Sequence, residues 1–573
     1  MKLKEILTYP IRECGQMFAF CLLMELVILA VCHILGLGGS VFLGILLPIF
    51  DCYVICITAS LLKKIRLGWI MWIVCVAVFA GELFTVLFYK STFSIRVLQL
   101  VMETNAQEAS EFFHSALVNT SFWGMLLLIA LTVTASIGII KLERRLIPLI
   151  KNIVCYLGLF PILWSGTRQI PAYIKLGRCL TAKQYSLFTE RRYMPHLSTT
   201  CVRLIHSIAF NMAQTSELDA LTETVRNTEH VKSSRKCPLI VLIIGESFSK
   251  YHTPLYNPTA PSVNPRLCKL RENGNLIPYT DVITTSNLTS NVMRNMFSMW
   301  DEEYNDNWTD HTLFPAIFRK AGYQVIYLSN QFVLDSNDTW NGVGGTIFNR
   351  HELSECQFDI RNDKIRDYDL ELLDMMPDTT QLFSLPTLLI VHLMGQHVKY
   401  VARYPESFRH FTVDSVNTGF GGQGARKIIA EYANATLYND FVVDSIWSIV
   451  KGHDAVGIYM SDHGEELYDW RDFHERTDER QMSKEVARYQ FEIPFMFIMS
   501  DSFIANHPQI AGQIRNSCDK SFINSRVKHV LLGLAGIETH EYKPEQDILT
   551  DTYDTRKARL IGDHINYDSL MRK

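Results

Sequence analysis

Three short apolar runs beyond residue 237 of this 573-residue chain each end in residues able to bind a metal ion or move a proton. They read Leu242-Ile243-Ile244-Gly245-Glu246-Ser247, Val391-His392-Leu393-Met394-Gly395-Gln396-His397 and Met460-Ser461-Asp462-His463-Gly464-Glu465-Glu466. A single carboxylate after a strand is ordinarily a helix N-cap. The same position filled at several strand ends points to a shared site. Adjacent Asp462 and His463, with Glu246 from another strand end, supply oxygen, nitrogen and oxygen donors and leave a fourth position for a reacting group, a set that suits zinc. A structural zinc site would use cysteine. The six cysteines beyond the apolar N-terminal runs (Cys179, Cys201, Cys237, Cys268, Cys356 and Cys518) lie beside none of these motifs and show no zinc-ribbon spacing. His392, inside an apolar strand, reads as a buried structural histidine, whereas His397 lies past the strand end. Ser247 reads as a cap for the next helix rather than a nucleophile.

These residues need a scaffold that brings strand ends together. Short β-branched runs at 240–244, 323–328, 388–393 and 456–460 alternate with helical stretches such as 313–321 and 425–451. That alternation predicts an α/β domain with a largely parallel sheet. Ligands of such sheets bind outside the carboxyl ends of the strands, where the three motifs fall. The domain is expected over 238–573. A charged bridge, 168–237, with a helical stretch at 209–225, precedes it.

The rest of the chain reads as membrane protein. Five predominantly apolar runs, 17–39, 40–62, 68–89, 122–140 and 147–166, are each about the 20 residues that an α-helix needs to cross a hydrocarbon core. They make 1–167 a five-span transmembrane domain. The first run lies too deep, and is too closely followed by others, for a cleaved signal peptide. Lys63, Lys64 and Arg66 between spans two and three, and Lys141, Arg144 and Arg145 between spans four and five, assign both loops to the cytoplasm, as do Lys2, Lys4 and Arg12 for the N-terminus. Five spans then place the α/β domain on the opposite face, with the polar segment 90–121 beside it. A net charge of −4 provides no basic field for nucleic acid, and 48% hydrophobic residues fits a membrane anchor.

With Gly245-Glu246-Ser247, a Thr-rich segment some 40 residues later, His397 and Ser461-Asp462-His463-Gly464-Glu465 behind five spans, the whole chain resembles the bacterial envelope phosphoethanolamine transferases of the alkaline phosphatase and sulfatase superfamily. The resemblance implies an inner-membrane enzyme with its catalytic domain in the periplasm. It implies zinc held by Glu246, Asp462, His463 and a threonine that is also the nucleophile. In the stretch Thr284-Thr285-Ser286-Asn287-Leu288-Thr289-Ser290 the Met296-Phe297 ending aligns that threonine with Thr289, while Ser290, Thr285 and Ser286 stay open. His397 and His474 fall near histidines that contact substrate or a second metal, and Thr104 and Glu108 fall near polar residues that meet the donor head group. The implied reaction moves phosphoethanolamine from phosphatidylethanolamine through a covalent threonine intermediate to lipid A or lipopolysaccharide core, releasing diacylglycerol.

The chain departs from the family pattern at two places. Thr285 and Asn295 stand where family members have a pair of cysteines, and the substrate-contacting lysine implied after the second strand is not evident in Ser329-Asn330-Gln331-Phe332-Val333-Leu334-Asp335. The alternatives are a glycerol-phosphate transferase or polymerase, a sulfatase, and a non-catalytic membrane receptor. A sulfatase would show a Cys or Ser maturation motif near Glu246, and none is present. A receptor would show erosion of the metal-binding set, and here the set is whole.

Overall fold

The computed structural model describes residues 3–37, 40–95, 97–98, 101, 120–145, 148–179, 197, 199–229, 231–234, 236–301, 306–333, 343–376, 385–477, 482–562 and 564–572. The chain divides into two compact units, Met1–Ser216 and Glu217–Lys573. Thr104 and Glu108 lie outside the described residues.

In the first unit, four helices among the described residues are long and apolar enough to cross a membrane: Leu7–Ile34, Val41–Lys64, Gly68–Tyr89 and Thr120–Leu142. The fifth expected span falls in the helix Pro148–Arg178, which carries Pro161 and Pro171 in its interior. The carboxylates Glu25, Asp51 and Glu82 inside these apolar helices are buried and engaged. Glu82 Oε1 pairs with Arg203 Nη2 at 2.5 Å, Glu25 accepts from the Thr200 amide and hydroxyl at 3.1 Å each, and Asp51 accepts from Tyr173 at 3.0 Å. A charge in an apolar unit is costly unless it is paired in this way.

The second unit is built on a seven-stranded sheet. Its strands are β1 (Leu239–Gly245), β2 (Leu276–Pro278), β3 (Gln324–Ser329), β4 (Ile360–Arg361), β5 (Thr387–His392), β6 (Ala455–Ser461) and β7 (Phe495–Met499), in the spatial order β2-β7-β6-β1-β5-β3-β4. The side chains of β1 show why it takes the middle. Ile240, Leu242 and Ile244 enter one buried cluster, with Val292, Met296, Phe314 and Val530 from helices on that face. Leu239, Val241 and Ile243 enter another, with Ile429, Tyr432, Ile446 and Trp447 of the helix Gly422–Val450. A strand covered on both faces reads as an unbroken apolar run, because successive side chains point to opposite sides.

The pairings β6-β1, β1-β5, β5-β3 and β3-β4 are parallel, but β7 runs antiparallel to both β6 and β2, so the sheet as a whole is mixed. The reason lies in the connection. After β6 the chain stays at the carboxyl end of the sheet, making the short ladder of Glu466–Leu467 with His474–Glu475, before it re-enters as β7. A strand that re-enters from the end its predecessor left can only pair antiparallel, because a parallel neighbour requires a crossover back to the starting edge.

Candidate active site

The register of the sheet sets the site. Ile244 of β1 lies opposite His392 of β5 and Met460 of β6, and Gly245 lies opposite Ser461. All three strands therefore end at one level. Glu246 and Asp462 follow β1 and β6 side by side, with the Asp462 amide donating to the Gly245 carbonyl at 3.0 Å. Both side chains and that of His463 are fully buried.

Glu246, Asp462 and His463 each offer a ligand atom, and these atoms lie within 4.8 Å of one another. His463 Nε2 is the hub, 3.2 Å from Glu246 Oε1, 3.1 Å from Asp462 Oδ2 and 3.4 Å from Thr289 Oγ1. Thr289 is the first residue of the helix Thr289–Phe297, and its hydroxyl donates to Glu246 Oε2 at 3.0 Å. The other hydroxyls of the segment face elsewhere. Thr285 Oγ1 accepts from Asn295 Nδ2 at 3.2 Å, Ser286 Oγ accepts from the Leu288 amide, and Ser290 Oγ is buried without a partner. The Thr285–Asn295 bond spans the two positions where the resemblance implied cysteines. None of the described cysteines is in a disulfide.

Each ligand is braced. Asp462 Oδ1 accepts from the amides of Ser247 at 3.1 Å and His463 at 2.7 Å. Ser247, at φ +56°, does not cap a helix. Its hydroxyl donates to Glu246 Oε1 at 2.7 Å and its carbonyl accepts from Tyr432. Gly395 (φ +49°) presses on Glu246 so closely that a Cβ there would lie 2.8 Å from the Glu246 nitrogen, which explains glycine at that turn. Asp369 holds the turn by accepting from the amides of Met394 and Gly395 at 2.8 Å each.

The donor set fits a divalent ion. His463 Nδ1 lies 3.0 Å from the Gly464 carbonyl, which fixes the proton on Nδ1 and turns the Nε2 lone pair toward the carboxylates. Asp462 Oδ2 is buried with no hydrogen-bond partner. Burial alone would raise Glu246, but His463 beside it holds its carboxyl well below the ordinary range. Burial and the neighbouring Glu246 push Asp462 up. Burial and Arg476 would lower His463, yet the two carboxylates lift it to about 10. All three shifts express a demand for positive charge at Nε2. Arg476 Nη1, which can only donate, lies 2.6 Å from that nitrogen and opposes a proton on it. An ion bound between the carboxylates and Nε2 satisfies the demand.

The expected histidines separate. His397 follows the Gly395 turn with Nδ1 buried and unpartnered, and burial lowers its pKa to about 4. His474 stacks on Tyr468 with ring centroids 5.3 Å apart, and its Nε2 lies 3.4 Å from Glu475. His392 is fully buried, 3.2 Å from Ser329 Oγ through Nδ1 and stacked against Phe332. Burial lowers it from the ordinary 6.5 to about 4. Between those values the unfolded chain binds a proton that the folded chain refuses, so stability falls as pH drops from 6.5 to 4, by up to about 3 kcal/mol from His392. Thermal melts of wild type and His392→Gln at pH 7 and pH 5 check this. The variant should lose less stability on acidification, and an equal loss in both would show that the proton goes elsewhere.

Sequence reasoning passed over Gln331, Asn287, Arg476 and Tyr400. Gln331 Nε2 donates to Glu246 Oε2 at 3.1 Å and to the Leu393 carbonyl at 2.8 Å. Asn287, two residues before Thr289, donates to the Thr477 carbonyl at 2.8 Å, and Tyr400 donates to Glu465 at 2.6 Å.

The family description Sulfatase matches residues 238–536, more than half of the chain, and the chain belongs to the Sulfatase family. It is similar to phosphoethanolamine transferase EptC of Escherichia coli K12, 26% identical over 509 residues, which cover 84% of this chain and 83% of that protein. The crystal structure of the C-terminal periplasmic domain of E. coli EptC in complex with Zn superposes with a TM-score of 0.50 at 26% identity, covering 59% of this chain and 96% of that one. The integral membrane lipooligosaccharide phosphoethanolamine transferase A of Neisseria meningitidis shares the fold across 93% of this chain and 98% of its own, at a TM-score of 0.58 and 18% identity.

Proposed function

We propose that this protein is a zinc-dependent phosphoethanolamine transferase of the bacterial inner membrane, taking its head group from phosphatidylethanolamine and passing it to lipid A or lipopolysaccharide core. The observation that carries the reading is the Thr289 hydroxyl, 3.0 Å from Glu246 Oε2 and 3.4 Å from His463 Nε2, at the mouth of the buried carboxylate–imidazole cluster. The similarity to EptC, whose periplasmic domain was crystallised with Zn, supports both the reaction class and the metal.

Glu246, Asp462, His463 and Thr289 would hold the zinc, which supplies Lewis acidity to the phosphate and lowers the pKa of the threonine hydroxyl. The chain's own residues do the rest. Glu246 Oε2 accepts the Thr289 hydroxyl hydrogen and sets the direction of its lone pairs, and Gln331 steadies Glu246 by donating to the same oxygen. Thr289 Oγ1 forms a bond to the donor phosphorus while the bond from phosphorus to the diacylglycerol oxygen breaks, and the proton that Oγ1 gives up ends on that departing oxygen. The second half passes phosphoethanolamine from Thr289 to an acceptor oxygen and restores the hydroxyl. His397, neutral at pH 7, suits proton transfer, with His474 as a further substrate contact. Thr104 and Glu108 are proposed to meet the donor head group.

We read 1–167 as the membrane domain, 168–237 as a bridge and 238–573 as the catalytic domain. Five spans from a cytoplasmic N-terminus bring that domain to the periplasm, whereas four would leave it in the cytoplasm. A membrane anchor is apt, because donor and acceptor are both lipids.

The test is intact-protein and peptide mass spectrometry of the detergent-purified chain incubated with zinc and phosphatidylethanolamine. A phosphoethanolamine adduct on Thr289 with diacylglycerol released is the expected result. An adduct only with phosphatidylglycerol would replace this reading with the glycerol-phosphate one.

A further inference from the structure

Resting on that reading, we infer that Arg476 is the guanidinium that grips the phosphoryl oxygens, aimed by an arm made of Glu465, Tyr400 and the Asn287 backbone. Its Nη1 lies 3.2 Å from the carbonyl of Asn287, two residues before Thr289, and 2.6 Å from His463 Nε2, a contact that gives way when Nε2 binds an ion and frees that donor too. Its Nε lies 3.6 Å from Glu465 Oε2, near enough for charge attraction but beyond a hydrogen bond. Glu465 is itself aimed, since Tyr400 donates to its Oε1 and the Tyr400 ring packs edge-on against Tyr432. Glu465 Oε2 is buried without a hydrogen-bond partner.

Among the described residues, Nη2 and the Nε hydrogen have no acceptor at bonding distance, on a side chain 18% exposed beside a carboxylate 1% exposed. A guanidinium held at one edge with N–H groups to spare can take two phosphate oxygens in parallel. Charge counting favours the same role. Glu246 and Asp462 match the charge of a divalent ion between them, so Arg476, with Glu465 held off at 3.6 Å, is the cation at hand for an anionic phosphodiester. Gln331, at the end of β3, is already spent on Glu246 Oε2 and the Leu393 carbonyl and carries no charge.

The segment bearing Arg476 is also tied to the nucleophile. Asn287 Nδ2 donates to the Thr477 carbonyl, and Gln490 Oε1 accepts from both Asn287 Nδ2 at 2.9 Å and the Thr477 amide at 3.0 Å. Arg476 and Thr289 are thus carried on two segments clamped to each other, so the spacing between guanidinium and hydroxyl is set before substrate arrives. Donors placed in advance around developing charge are a large source of catalysis in phosphoryl transfer.

The experiment uses full-length, zinc-loaded protein in detergent and two probes, inorganic phosphate binding and the rate of the Thr289 adduct with phosphatidylethanolamine. For Arg476→Gln, phosphate affinity should fall about 10- to 100-fold, as for a lost charge-assisted contact, and the adduct rate about 100-fold or more, with zinc content unchanged. Phosphate affinity within twofold of wild type would overturn the assignment. Should Arg476→Gln fail to fold or lose zinc, Arg476→Lys decides. It keeps the charge and loses the fork, so phosphate should bind about tenfold more weakly, and wild-type affinity in this variant overturns the proposal. Phosphate binding does not involve the donor lipid. A wild-type protein that binds phosphate through Arg476 yet forms no adduct with phosphatidylethanolamine would refute the donor reading alone.

Discussion

Replacing Thr289 by alanine is expected to abolish the covalent adduct and to reduce transfer by about 10⁴-fold or more, the loss seen when a nucleophile that acts as one unit with its activating groups is removed. The fold should tolerate the change. Thr289 opens a helix, where alanine is acceptable, and the hydrogen bond it gives up is one of several to Glu246, which keeps Ser247 on Oε1 and Gln331 on Oε2. The cost in stability should be about 1 kcal/mol. Thr289→Ser restores a hydroxyl at the same place and should recover part of the rate, with the adduct moved to the serine. Rapid-quench mass spectrometry of the three proteins reads adduct and turnover together. An alanine variant that still carries phosphoethanolamine on Ser290, Thr285 or Ser286 would move the nucleophile by a few residues and leave the reaction class standing.

How much of this was legible in the sequence depends on whether a feature is local. The strands at 240–244, 388–393 and 456–460 announce themselves because burial on both faces forces unbroken apolar runs, and they appear as Leu239–Gly245, Thr387–His392 and Ala455–Ser461. Glu246, Asp462 and His463 were legible for the same reason, since each directly follows such a run. The antiparallel course of Phe495–Met499 was not, because it depends on where the chain travels between 462 and 494. Arg476 gave no signal either. It sits in a charged stretch where nothing separates it from Arg471 or Glu475, and only the fold brings it to His463. Gln331 was visible solely as a departure from a family pattern, and its bond to Glu246 spans 85 residues. In the membrane unit the carboxylates Glu25, Asp51 and Glu82 stand out once placed in helices, but their partners Thr200, Tyr173 and Arg203 lie more than 100 residues away.

Asp462→Asn should show how far the metal, rather than the protein, holds this cluster together. Asparagine is nearly isosteric and can keep its carbonyl oxygen on the amides of Ser247 and His463, the two bonds that Oδ1 makes now. What it loses is the anionic Oδ2, the buried oxygen without a hydrogen-bond partner that faces His463 Nε2 at 3.1 Å. Zinc affinity should therefore fall by at least about 100-fold and activity with it, since even residues that merely support a ligand cost 10- to 100-fold. Stability should move in opposite directions with and without metal. In chelated protein burial and the neighbouring Glu246 push the Asp462 carboxyl up, so its charge is a cost there and a neutral amide in its place should be neutral or stabilising. In zinc-saturated protein the wild type gains the linkage free energy, about 4 kcal/mol at a thousandfold excess over Kd, and the variant gains far less. Melting curves of both proteins with chelator and with added zinc should therefore cross. Parallel curves, with the variant equally destabilised in both conditions, would mean that Asp462 serves the fold through its backbone contacts and that the ion is bound elsewhere.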